Sequence, residues 1–400
     1  MQEFLSAILL SSGYNTALVC IGAAILGAAS GAIGVFILLR KRSLVSDAVS
    51  HATLPGVVLA FILGEILWGY GRSLPFILAG AAFSSMLGVM AVDAIKTHTR
   101  LTEDTAIGTV LSTFFALGMV LLTIVQSMSI AGQAGLEGFL LGATSGMLFS
   151  EAVTIAVASM IVGIAIVLRM KEFTLLCFDE NFAASSGYNV KWLDRSLLIL
   201  LVSVVVIGLK TVGLVLIVAL AIIPPVAARF WTERVPVLVG ISATIGALGS
   251  YIGAAISSTA PSLPTGGIIV LILFFLFLVS LLLSPVRGVL AAYIRHRRFQ
   301  KIVHTRQGLL TIANGQPILE PLTRKLMIKN SYMCGDGRVT DYGFSVAQKM
   351  ARDQELWNRF KELDPEAAHS LQDWSLRPIE EVLPYDVVSE LETGLKPHTV

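Results

Sequence analysis

Asp47 and His51 stand four residues apart in the stretch SLVSDAVSHATLPGVVLAF, residues 43–61, which otherwise reads as an apolar helix. On a helix that spacing puts both side chains on one face, one turn apart. A carboxylate oxygen and an imidazole nitrogen so placed can reach one divalent cation, and the mixed oxygen and nitrogen donors suit manganese, iron or zinc. The same spacing also serves a hydrogen-bonded pair that only fixes helix packing. Ionisable side chains inside a membrane span are costly, and by default they mark a pathway or a site. Ser46 and Ser50 share that turn and are candidates to support the pair from behind. One turn further on, Pro55 removes a backbone donor and would kink the helix, while Gly56 lets another helix approach closely.

The elements that must position this pair are membrane helices. Of the 400 residues, 55% are hydrophobic and 14% are charged, against about 25% charge in an ordinary soluble domain. Mean hydropathy is +0.78. Runs long enough to cross a hydrocarbon core, roughly 20 residues, fall at 14–39, 44–67, 74–95, 105–126, 152–169, 196–209, 212–229, 236–257 and 266–286. The sixth and seventh are short and broken only at Lys210-Thr211-Val212-Gly213, as in a tight hairpin. Segment 136–149 is too short and too Gly-rich to count as a span. Nine spans with the N-terminus outside place Arg40-Lys41-Arg42, Lys96, Arg100, Lys171, Lys191, Arg195 and the run Arg295-His296-Arg297-Arg298 on the cytoplasmic side. The expected fold is therefore an all-α polytopic membrane protein of about nine transmembrane helices. Residues 1–290 form this domain, 291–304 a basic cytoplasmic linker, and 305–400 a small soluble cytoplasmic extension.

Other chemistry is sparse. The net charge of +2 is too small to argue for nucleic acid or an acidic partner, and Cys20, Cys177 and Cys334 are too scattered for a disulfide framework or a metal cluster. The N-terminus lacks the basic and short apolar regions of a cleaved signal peptide. No nucleotide-binding loop of the G-x-x-x-x-G-K-[ST] type occurs, and no Ser/His/Asp or Cys/His arrangement recommends an active site. An enzyme on this chain is disfavoured.

Five stretches in order resemble the membrane permeases of ABC importers for manganese, zinc and iron, the ABC-3 family. They are LVSDAVSHATLPGVVLAF, LTEDTAIGTV at 101–110, LLCFDENFAASSGYNV at 175–190, TVGLVLIVALAIIPPVAARF at 211–230 and LPTGGIIVL at 263–271. The resemblance implies a permease dimer, homomeric or paired with a second permease chain, in a bacterial plasma membrane. It also implies cytoplasmic ATP-binding subunits and an extracytoplasmic metal-binding protein as partners. No cofactor is permanently bound; the divalent cation is the cargo. Asp47 and His51 take the place of the family's coordinating pair, and Asp179, Ala183 and Gly187 fall in the segment that contacts the ATPase. The plainer reading of that segment is a solvated loop with a helix cap at Asp179. Before the Leu-Pro of 263–264, where the family often has an acidic residue, Ser262 stands here.

The tail, through GRVTDYGFSVAQKMARDQELWNRF and IEEVLP, resembles DtxR-type metal-dependent repressors and implies a winged helix: a Gly-containing turn, then a helix with Phe344, Ala347, Met350 and Ala351 on one stripe. It departs where those repressors bind metal, with Gln354 in place of a His and Asn358 in place of a Glu. Its mixture of Lys/Arg with many Asp/Glu argues against a DNA reader. The rival to transport is a membrane-anchored sensor in which this tail is the functional module and Asp47/His51 only packs.

Overall fold

The computed structural model describes residues 13–68, 73–127, 147–259, 264–371 and 377–393. The chain divides into two compact units, Met1–Ala291 and Ala292–Val400.

The first unit is helical throughout its described residues. Its elements are α1 (Tyr14–Leu39), α2 (Ser43–Trp68), α3 (Leu74–His98), α4 (Glu103–Ser127) and α5 (Phe149–Leu168). The short α6 (Met170–Phe178) and α7 (Glu180–Ser185) follow, then α8 (Val190–Val212), α9 (Leu214–Arg229), α10 (Val235–Ser257) and α11 (Thr265–Leu283). Among the described residues, eight helices are long and apolar enough to cross a membrane. The seventh expected span, 212–229, forms α9, which has only 16 residues, about 24 Å of rise against a core of about 30 Å. It parts from α8 at Gly213, whose φ of +81° no β-carbon-bearing residue adopts readily. Segment 136–149 lies outside the described residues except for its last three positions, of which Phe149 begins α5.

Side chains on the outside of this unit are apolar, as at Leu271 (67% exposed) and Phe275 (60%) on α11, the arrangement that suits lipid rather than water. Inside, helices approach through small residues. α1 crosses α10 where Gly27 meets Gly246 and where Ser242 donates its hydroxyl to the carbonyl of Gly31 at 2.7 Å. In lipid no hydrophobic force drives helices together, so close backbone approach and buried hydroxyl bonds supply the packing.

The second unit holds most of α12 (Val289–Ala313), with α13 (Pro321–Lys329), α14 (Asp341–Leu363), α15 (Pro365–Ser370), α16 (Ile379–Val382) and α17 (Tyr385–Thr393). The stretch read as a linker, 291–304, is helical, lying inside α12. One core gathers Leu356, Trp357, Phe360, Ile379, Val388 and Leu391; the other is built on Leu309, Ile312, Leu326, Met327, Met333 and Ala347. The turn at 334–340 is closed by a single antiparallel bridge, Met333 to Val339, with no strand among the described residues. After it Thr340 caps α14, accepting from the Gly343 amide at 3.0 Å. The expected stripe on α14 needs correction: Ala347 is buried and Met350 packs on that core, but Phe344 is 49% exposed. The buried face runs instead through Gly343, Ala347, Leu356, Trp357 and Phe360. Gln354 bonds within the unit, accepting from Arg306 at 2.8 Å and donating to Asn358 at 3.1 Å.

Candidate metal centre and coupling segment

Asp47 and His51 lie in the first turns of α2, and His51 Nε2 sits 3.3 Å from Asp47 Oδ1. That gap has a chemical meaning. Two donors bound to one cation at about 2.0–2.2 Å stand roughly 3.0–3.4 Å apart in octahedral or tetrahedral geometry. The two atoms are therefore already spaced as neighbouring ligands. Their side chains remain partly open, 34% exposed for Asp47 and 18% for His51. The imidazole is oriented by Phe115 of α4, whose ring meets it edge-on at 4.9 Å and 87°. Its other nitrogen, Nδ1, is buried without a hydrogen-bond partner.

Ser46 and Ser50 are buried beside the pair. Their hydroxyls donate back along α2, Ser46 to the carbonyl of Ser43 and Ser50 to that of Asp47, both at 2.8 Å. They thus satisfy helix carbonyls, and neither hydroxyl bonds the Asp47 carboxylate or the His51 ring. α2 continues through Pro55 as one helix. Pro55 has no N–H to give, so the His51 carbonyl loses its ordinary donor one turn on. Gly56 meets the backbone of Gly80 on α3 so closely that a β-carbon at either position would collide with the facing helix. This crossing fixes where α2 stands in the bundle. Among the described residues, no group of three or more His, Cys, Asp or Glu side chains converges to hold a metal.

The second predicted region, 175–190, folds as a helix pair between spans. Asp179 caps α7, its carboxylate accepting from the Phe182 amide at 2.8 Å. Ala183 is fully buried, and Gly187 turns the chain at φ +86° towards the Asn189 cap of α8. Around this scaffold Phe178, Phe182, Tyr188 and Trp192 are exposed by 43–68%. Arg169 stacks over Trp192 at 4.3 Å. Sequence reasoning located the segment but not this aromatic rim, whose members are scattered along 178–192. It also missed Phe115, which sits 64 residues from its imidazole partner and carries no local signal.

Among the described residues, eight helices long and apolar enough to cross a membrane, one of them carrying the ionisable pair Asp47 and His51, define a polytopic membrane protein. The chain belongs to the ABC 3 transport family, which matches residues 14–284. It is 40% identical over 299 residues to the manganese transport system membrane protein MntC of Bacillus subtilis (strain 168), covering 74% of this chain and 67% of that one. Over 289 residues it is 39% identical to the zinc transport system membrane protein TroC of Treponema pallidum (strain Nichols), covering 72% of this chain and 95% of that one. Its fold matches PsaBC from Streptococcus pneumoniae in complex with Fab, with a TM-score of 0.63 and 29% identity over 74% of this chain and 99% of that one.

Proposed function

We propose that this chain is the permease subunit of an ABC importer for divalent transition-metal cations, in the manganese, zinc and iron class. The observation that carries the reading is the Asp47–His51 pair, two donors of the right type 3.3 Å apart on one helix of the membrane unit. Membership of the ABC 3 transport family and its likeness to manganese and zinc transport membrane proteins support the cargo class.

In this reading two permease chains face each other and each contributes Asp47 and His51. Two donors per chain then make four, enough for a first coordination shell. An extracytoplasmic protein delivers the cation. ATP-binding subunits dock on the cytoplasmic segment 171–195, where the exposed aromatics around Asp179, Ala183 and Gly187 give them a surface. A neutral imidazole and one carboxylate replace part of the ion's water shell without holding it irreversibly, because a pathway site must also release. The membrane is a bacterial plasma membrane and the extension is cytoplasmic. Its resemblance to a DtxR-type winged helix is read as a regulatory or partner-binding remnant that has lost its metal ligands.

ATP-driven uptake of Mn²⁺, Zn²⁺ and Fe²⁺ in proteoliposomes holding this chain with its ATPase tests the reading. Uptake that survives removal of residues 300–400 but fails in Asp47→Ala and His51→Ala supports it. Uptake indifferent to both point changes sinks it in favour of the membrane-anchored sensor.

A further inference from the structure

The cytoplasmic ends of the first unit are joined by a chain of ion pairs that the metal pair does not use. Arg40, at the end of α1, donates to the carbonyl of Leu176 at 3.1 Å and to Glu180 at 3.2 Å, so it holds the junction of α6 and α7. Its Nη2 donates to Asp194 Oδ1 of α8 at 2.9 Å. Arg42 donates to the other oxygen, Asp194 Oδ2, also at 2.9 Å. Its Nε reaches Glu103 at 2.6 Å, and Glu103 in turn takes Lys96 at 2.5 Å. Arg40, Arg42 and Asp194 are largely shielded, with side chains 11, 12 and 18% exposed.

Three features make this more than a surface ion pair, which would contribute little. Asp194 divides its two oxygens between two guanidinium groups, a geometry that only a carboxylate can satisfy on both sides. The two arginines are held at a fixed separation by the turn between α1 and α2. Lys41 there adopts the left-handed region (φ +59°), and the amides of Lys41 and Arg42 close back onto Leu38 and Ile37 at 3.0 Å each. Arg42 is also the residue immediately before α2. Asp47 and His51 follow it on the same helix, about 6 to 12 Å of rise from the first residue, Ser43.

We propose that Asp194 is a positioning residue for transport. Through Arg40 and Arg42 it ties the segment α6–α7 to the foot of the helix that carries Asp47 and His51, so that movement of one displaces the other. This rests on the permease reading above, which supplies the ATPase at α6–α7 and the cation at the pair. The α6–α7 junction moves Arg40 through the Leu176 carbonyl and Glu180, Asp194 hands that displacement to Arg42, and α2 follows as a rigid rod.

The test compares cations moved per ATP hydrolysed by the full complex in proteoliposomes, with Mn²⁺ as the probe. Asp194→Asn keeps the size of the side chain but offers an amide nitrogen to one of the two arginines. The expected result is hydrolysis within about twofold of wild type with a roughly tenfold loss of Mn²⁺ moved per ATP, in the range of typical coupling between sites. Asp194→Glu restores the ratio. Should Asp194→Asn fail to assemble, Arg42→Lys makes the same test, since an ammonium is a point charge without the fork that serves Asp194 and Glu103 together. Arg42→Gln with Asp194→Asn is then no worse than either change alone. Hydrolysis and transport falling in proportion, at an unchanged ratio, would show a brace and overturn the inference. Additive losses in the double variant would overturn it too. A wild-type complex that moves no Mn²⁺ sinks the transport reading itself, whereas wild-type transport with an unaltered Asp194→Asn ratio sinks only the coupling.

Discussion

The two units of this chain solve the same packing problem in opposite ways. In the membrane unit the closest helix crossings run through the smallest residues, Gly27 against Gly246 and Gly56 against Gly80, and large apolar side chains lie both inside, as Phe36 and Phe61 do, and outside, as Leu271 and Phe275 do. In the extension the large side chains go inwards: Trp357 is 1% exposed, meets Phe360 edge-on at 6.1 Å and donates to the Arg377 carbonyl at 3.1 Å. The contrast follows from the solvent. Lipid offers no gain for burying a Leu, so backbone proximity decides; water makes each buried aromatic worth several kcal/mol. Charge follows the same division. The membrane unit spends its ionisable groups at Asp47, His51 and the ion pairs at its helix ends, while the extension scatters them over an ordinary surface.

If that division is right, the heaviest loss comes from the membrane unit's few polar groups. Asp47→Ala or His51→Ala lowers ATP-driven cation uptake by roughly tenfold or more, the order lost when a site's defining ligand or its partner goes, with insertion and yield unchanged. Equal uptake by the variants would make the pair mere packing. Next, Trp357→Ala costs the extension about 3–5 kcal/mol, seen as protease cleavage of the extension at a lower temperature than in the unaltered chain, while uptake persists. A parallel fall in uptake would mean the two units depend on each other. Gly80→Val then tests the small-residue rule: its side chain meets the backbone of α2, and overpacking at roughly 1–3 kcal/mol should appear as lower folded yield in detergent.

Two smaller effects sharpen the contrast. Burial pushes the Cys177 thiol up to about 12, and its sulfur lies 3.7 Å from the Phe36 carbonyl. Cys334 is exposed. At neutral pH a maleimide should label Cys334 and leave Cys177 untouched, because the thiolate is the reactive form. In the extension, burial raises the Asp353 carboxyl, against the opposing pull of the Ile379 amide and Arg306. The folded state then holds that proton more tightly than the unfolded chain. Its contribution to stability is present at low pH and is lost as pH rises through the folded titration. Asp353→Asn should flatten that slope in a denaturation series.

Much of this was legible in the residues. Each apolar run corresponds to a helix because length and composition decide what lipid accepts, but among the described residues eight are long enough to cross and α9 is not. The i, i+4 spacing proposed the donor pair because a helix turn is local information. What escaped was every contact set by the bundle. Asp194 stands among charges in sequence, beside Lys191 and Arg195, and nothing local says that it bridges residues 152 and 154 positions away. Phe344 was misassigned for a related reason: i, i+3 periodicity finds a stripe but cannot say where along α14 the core begins. The turn at 334–340 carries the residues of a wing but closes on a single bridge.

The central claim is that Asp47 and His51 hold the transported cation, and metal-edge absorption spectroscopy of the assembled complex loaded with Mn²⁺ tests it most directly. The account predicts a first shell of oxygen and nitrogen donors together with the outer-shell scattering of a bound imidazole ring, which is lost in His51→Ala. Unchanged imidazole scattering in that variant, with Mn²⁺ still bound, would contradict it.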